Sequence, residues 1–316
     1  MNPISLKFLT RLITLIGIVF MSVGTGAQNV NVDSLENILR VKKHTAESKM
    51  QLLSKLYYGT IRKDTVIAFS YINEMKYLEN TLTDSLSKSI LYSCQGSYYN
   101  KKDSVAKALG FYEKAINSLA TGKSKEIELE RAKNLEAKGS IYHKFDDYET
   151  AYSLYLEAEH LFLDNESYNE LISLYGKMGN IFLRNSNIQR NKQIIEKADA
   201  IVDKITDPNA LASYYTNRGN VFGNDKDYTN ADIFFEKALS ILDMTQDQYR
   251  LGVLYYNMGY FFRDRGNMEE GETYYRKSLA AFEKAGNKFD ICDGITAVGR
   301  MLYYSKKYNE AEPYLQ

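Results

Sequence analysis

LASYYTNRGNVFGNDKDYTNADIFFEKALSIL, residues 211–242, predicts two amphipathic helices joined by a tight turn. Tyr215, Gly219 and Phe222 fall four and three apart, a polar break follows at Asn224–Asp227, and Ala231, Phe235 and Ala238 then repeat the spacing. Residues three and four apart share one helix face, and a polar break of this kind marks a turn. Gly219 and the alanines stand where two helices approach closely. The rings stand where the space between those helices needs filling.

The hairpin recurs. Gly96, Gly139, Gly179, Gly219, Gly259 and Gly299 are separated by 40 residues four times and by 43 once. Three residues after each glycine come Tyr99, Tyr142, Phe182, Phe222, Phe262 and Leu302. Nine after come Val105, Tyr148, Ile188, Tyr228, Met268 and Tyr308, and twelve after come Ala108, Ala151, Asn191, Ala231, Gly271 and Ala311. Sixteen after stand Tyr112, Tyr155, Ile195, Phe235, Tyr275 and Leu315, and nineteen after stand Ala115, Ala158, Ala198, Ala238 and Ser278. Such register means internal repetition.

The pattern resembles the tetratricopeptide repeat, over residues 45–316, in its longer 40-residue, kinesin-light-chain-like variety. It lacks the proline that usually closes each unit. The resemblance implies an all-α fold, a right-handed α-α superhelix of antiparallel helix pairs with a concave groove lined by the first helices. A degenerate unit precedes the six, with Leu56 in the glycine position and Ala68, Ile72 and Met75 keeping the spacing. Residues 28–44 read as an N-terminal capping segment, with a helix over Asp33–Val41 and Asp33 or Ser34 as its N-cap. No hairpin buries its surface alone, so neighbours must stack.

Residues 1–27 read as an export signal. Lys7 and Arg11 precede an apolar run, Leu12 to Val23, and small residues lead to Gln28. The run spans about 18 Å as a helix, short of a ~30 Å hydrocarbon core, and leaves no membrane span once removed. No cysteine follows the cleavage point for a lipid. The expected location is exported, periplasmic or associated with a bacterial envelope. Cys94 and Cys292 are expected as separate, half-buried thiols, since stacked layers add about 10 Å each and a disulfide reaches about 7 Å. At the other end, Ala311–Gln316 reads as the start of a second helix, with Pro313 in its first turn, and suggests a longer parent.

Forty basic residues balance forty acidic ones, without a basic run, which argues against nucleic acid as a partner. His44, His143 and His160 form no metal spacing, no phosphate loop occurs, and no cofactor or catalytic residue is indicated. His143 is expected as a solvated surface residue. Acidic pairs such as Asp146-Asp147 and Glu269-Glu270 belong to turns and helix starts.

Candidate binding residues lie on the first helices. One residue after each glycine come Ser97, Ser140, Asn180, Asn220, Tyr260 and Arg300. The resemblance implies that this position faces the groove, where asparagines in related peptide clamps hold a bound backbone. An amide suits that role because it both donates and accepts. Asn217, Asn257, Tyr256, Arg184 and Arg263 are the adjacent candidates, the arginines as receivers of a carboxylate. Paired tyrosines, as at Tyr214-Tyr215 and Tyr255-Tyr256, should place one ring in the core and one outside. The expected function is a non-catalytic scaffold for a protein or peptide, with self-association as a further option. The alternative is the periplasmic sensing region of a longer sensor histidine kinase or helix-turn-helix regulator.

Overall fold

The computed structural model describes residues 32–185, 187–286 and 288–315. The expected export signal, and residues 28–31 of the expected cap, lie outside them. The described residues form fifteen α-helices and two short 3-10 turns, and no strand. Helix α1 is Val32–Val41, and α2, Ala46–Thr60, pairs with α3, Thr65–Leu78. The following pairs are α4, Ser85–Lys101, with α5, Val105–Ser118; α6, Lys125–Lys144, with α7, Tyr148–Asp164; and α8, Tyr168–Arg184, with α9, Ile188–Asp199. Then come α10, Pro208–Asn224, with α11, Tyr228–Thr245; α12, Gln248–Asp264, with α13, Met268–Ala285; and α14, Lys288–Tyr304, with α15, Tyr308–Leu315.

Local chemistry sets the turns. The residue nine past each repeat glycine opens the second helix in all six pairs: Val105, Tyr148, Ile188, Tyr228, Met268 and Tyr308. Just before it, Asp147, Asn187, Asp227 and Asn267 each accept a backbone N–H of the first turn. Capping of this kind satisfies donors the helix leaves unpaired. One residue earlier still, Asp103, Asp146, Lys226, Gly266 and Lys306 take φ between 52° and 89°. The left-handed residue reverses the chain within three residues.

Close packing explains the glycines. A Cβ on Gly139, Gly219 or Gly259 would stand 2.7, 2.6 and 2.7 Å from the rings of Tyr155, Phe235 and Tyr275. Gly271 admits the backbone of Gly259 at 3.2 Å from its own missing Cβ. Each first helix packs on its partner, and most second helices pack on the next first helix. The buried apolar side chains accordingly fall into separate clusters along the array, one containing Leu53 and Met75, another Phe162 and Met178, a third Phe235 and Phe261. The architecture is an all-α helical-repeat superhelix.

Several sequence expectations need correction. Helix α1 already includes Val32, so Asp33 and Ser34 both stand inside its first turn and neither is the cap. Pro313 lies in the second turn of α15, because that helix opens at Tyr308 and not at Ala311. Cys94 is buried and Cys292 exposed, and both thiols are free. The assumption of steadily growing separation also fails. Rotation accumulates from layer to layer until the α2–α3 turn meets the far repeats. Arg62 stands 4.3 Å over the ring of Tyr249, at the start of α12.

Candidate functional site

Three of the predicted asparagines come together. Asn180 on α8, with Asn217 and Asn220 on α10, line one cleft whose far wall is α9. Its floor is apolar, with Ile172, Tyr175, Ile194, Ile195 and Val221, and the buried Asn191 also lines it. The free volume is about 40 Å3, room for roughly three ordered waters.

The cleft follows from how α9 sits. At 12 residues it is shorter than the other second helices of the internal repeats, and it does not close on α10 as α5, α7, α11 and α13 close on the helices after them. Helix α10 leans on α8 instead. The Asn217 Nδ2 sits 2.6 Å from where a Cβ on Gly176 would be, so a larger residue there would push the two helices apart.

Polar groups fix the mouth. The Tyr214 hydroxyl donates to Asp199 Oδ1 at 2.6 Å, and Arg218 pairs with Asp199 Oδ2 at 3.3 Å. Burial, and then the bond to Asp199, push the Tyr214 phenol well above its usual range, so it remains a donor. The Arg218 guanidinium stacks 4.9 Å over Phe222, and its Nε is buried without a hydrogen-bond partner.

The remaining predicted residues lie elsewhere. Tyr256, Tyr260 and Arg263 on α12 gather with Arg300 on α14. Tyr256 packs edge-on against Tyr275 at 5.4 Å, and Arg263 stands 4.6 Å over Tyr260. Arg300 donates to Tyr304 and holds that phenol below its usual range. Arg184 reaches back to Asp146 at 3.9 Å. Asn257 is half-buried on α12 and lines no part of the cleft. His143 is not the solvated residue expected: it packs edge-on to Tyr148 at 5.6 Å. Burial first, then Arg184 and Lys177, lower its pKa.

A charged inner wall lies outside the residues that the sequence singles out. Glu136, 3% exposed, pairs with Lys177 of the next first helix at 2.9 Å. Lys177 in turn donates to Ser140, which also receives the Tyr155 hydroxyl. Burial raises the carboxyl pKa of Glu130 and of Glu170, against the opposing charge of Lys133. A positional signal existed: Glu130, Glu170 and Asp290 each stand nine residues before a repeat glycine. Among the described residues, no group of three or more His, Cys, Asp and Glu is placed to hold a metal ion, and no helix is long and apolar enough to cross a membrane.

Residues 212–241 and 250–316 match family models described as tetratricopeptide repeat. Among similar solved structures is aspartyl phosphate phosphatase F from Bacillus subtilis, with TM-score 0.62 and 11% identity over 98% of this chain and 86% of that one. Another is the Rap conjugation gene regulator of plasmid pLS20 in complex with the Phr* peptide, at TM-score 0.54 and 13% identity over 100% of this chain and 88% of that one. BtubC (BKLC) from P. vanneervenii has TM-score 0.53 and 21% identity over 71% of this chain and 93% of that one. At these identities the likeness concerns the fold alone. No curated protein matches the sequence.

Proposed function

Because the chain belongs to the tetratricopeptide-repeat family, we propose that it is an exported scaffold that binds an extended segment of a protein or peptide partner along its first helices. The observation that carries this reading is the meeting of Asn180, Asn217 and Asn220 at one cleft. Their amides can pair with both the N–H and the C=O of an extended backbone. The structural neighbour from plasmid pLS20, which holds the Phr* peptide, supports a peptide as the partner class. The reading assigns the chain no chemistry of its own.

A displayed library of random peptides tests it. The protein with its signal removed should enrich a set of binders, and Asn180→Ala with Asn220→Ala should lose them while the helical circular dichroism stays unchanged. Undiminished enrichment would move the binding surface away from the cleft. Export has a separate test. Mass spectrometry of the protein from its native host should find Gln28 as the mature N-terminus, and a chain that retains residues 1–27 in the cell interior would contradict it.

A further inference from the structure

The third of the six glycine-marked repeats, formed by α8 and α9, differs from its neighbours at one registered position. Sixteen residues past the repeat glycine, Tyr112, Tyr155, Phe235 and Tyr275 press a ring onto that glycine, at 3.0, 2.7, 2.6 and 2.7 Å from an ideal Cβ. In this repeat the position holds Ile195, and what a Cβ on Gly179 would meet is the Asn191 Oδ1 at 2.9 Å. The missing ring has not been replaced by collapse. Gly179 and Ile195 both line the cleft, and α9 packs less closely on α10 than the other second helices do on theirs, meeting it at its C-terminal end through Asp199.

We propose that this slot receives one aliphatic side chain, of valine, leucine or isoleucine size, from an extended peptide. The inference rests on the peptide-binding reading and adds a residue preference to it. Size and polarity argue for the occupant. About 40 Å3 is free, roughly a quarter of the ~150 Å3 apolar cavity that takes up benzene, so the slot takes the branched tip of an aliphatic side chain and not a ring, the rest of the side chain lying in the open part of the cleft. The floor offers Ile194, Ile195 and Val221 to that group. Arg218 lines the cleft, and its Nε is a buried cationic donor without a partner, which a main-chain carbonyl oxygen of the peptide can meet once the side chain turns toward the cleft. An unmet buried donor is costly, and an acceptor arriving with the ligand relieves it. The amides of Asn180 and Asn220 take the flanking peptide units.

The test uses peptides of the form acetyl-Gly-Gly-X-Gly-Gly-amide, with X as Leu, Phe, Asp or Gly, titrated into the isotopically labelled protein. The readout is the backbone amide resonances of α8, α9 and α10, which every variant retains. X as Leu should bind about tenfold or more tightly than X as Gly, the gain expected from burying one such side chain. Ile195→Tyr restores the ring of the flanking repeats and should abolish the Leu advantage over Gly. Ile195→Ala enlarges the slot and should turn the preference toward Phe, which keeps the test valid if the tyrosine variant does not fold. Asn180→Ala with Asn220→Ala should weaken every peptide alike, whatever X is. A Leu advantage that survives Ile195→Tyr, or a preference for Asp, overturns the slot and leaves the clamp standing. Peptides indifferent to the asparagine pair, or an absence of shifts with every peptide, overturn the clamp and the slot with it.

Discussion

Gly219 and Gly110 are both glycines inside helices, yet only one of them is there for space. A Cβ on Gly219 would press into the fully buried ring of Phe235, while one on Gly110, exposed on α5, would meet nothing within 4 Å. Alanine is the better helix former by about 1 kcal/mol at either position. At Gly219 overpacking opposes it by about 1–3 kcal/mol, because the ring has nowhere to go. Gly110→Ala should therefore raise stability to urea by up to about 1 kcal/mol, and Gly219→Ala should lower it by about 1 kcal/mol. Equal gains at both positions would mean that the helices do not meet where the structure places them. Glu272 makes a different residue-scale case. Burial would raise its pKa, but hydrogen bonds from Lys307 and Arg276, both at 2.9 Å, outweigh that and lower it. A carboxyl with a depressed folded pKa contributes stability above its unfolded pKa, near 4.3, and loses it as pH falls through the folded value. Arg276 also bonds Tyr314 at 3.0 Å, so these contacts hold α15 in place. On acidification below about pH 4, cleavage within α15, read at each pH with a protease active there, should rise early in the wild type. Glu272→Gln should show that faster cleavage already at neutral pH.

Helix α9 shows how far an element can be read from its own residues. Its start at Ile188, its Asn187 cap and its place in the register are local matters, fixed by spacing and capping chemistry, and the sequence displays them. The same locality makes the turns legible. It also accounts for the start of α15 at Tyr308 and not at the small residue Ala311, since the position three residues before the small one opens every second helix of the six repeats. The slot beside α9 was not legible in that way. The sequence shows isoleucine where a ring stands in other repeats, but whether neighbours relax into the gap depends on contacts between helices 20 to 30 residues apart. Asn180 and Asn220 of the cleft share one offset along the chain, one residue past the glycine, and Asn217 stands beside them, two residues before it. The Glu136–Lys177 pair was missed because its members stand at different offsets, three and two residues before their glycines. Weak closure of α9 on α10 has a measurable consequence. An element with few neighbours opens at lower free energy than the elements around it. Amide hydrogen exchange should be faster in α9 and the 200–207 connection than in α8 and α10. Uniform protection across the four segments would show that α9 is held as firmly as the rest.

At the scale of the whole molecule, curvature turns a one-dimensional stack into a nearly closed one. Solenoid repeats contact their neighbours, and stability sums over adjacent layers; contacts between distant layers add a constraint that neighbours alone do not impose. Here the α2–α3 turn supplies it. Arg62 lies over Tyr249, and Lys63 Cγ comes within 3.8 Å of the space beside Gly286. Asp290 also acts on Lys101, although burial is the larger influence there and lowers the lysine pKa. These far contacts are few, and a cation–π contact is worth about 0.5–2 kcal/mol. Removing one would change the ratio of closed to open superhelix by about two- to thirtyfold, enough to alter the average shape without unfolding any repeat. Arg62→Ala should therefore increase the radius of gyration measured by X-ray scattering while circular dichroism and the melting midpoint hardly move. Tyr249→Phe keeps a π face under the guanidinium and should leave the radius as it is. The asparagine cleft lies between repeats in the middle of the curve, so a wider superhelix changes the spacing of α8 and α10 across it. If closure and binding are coupled in this way, Arg62→Ala will also change the affinity of peptides selected on the wild-type protein; an expanded molecule with unchanged affinity would show that the two ends close independently of the cleft.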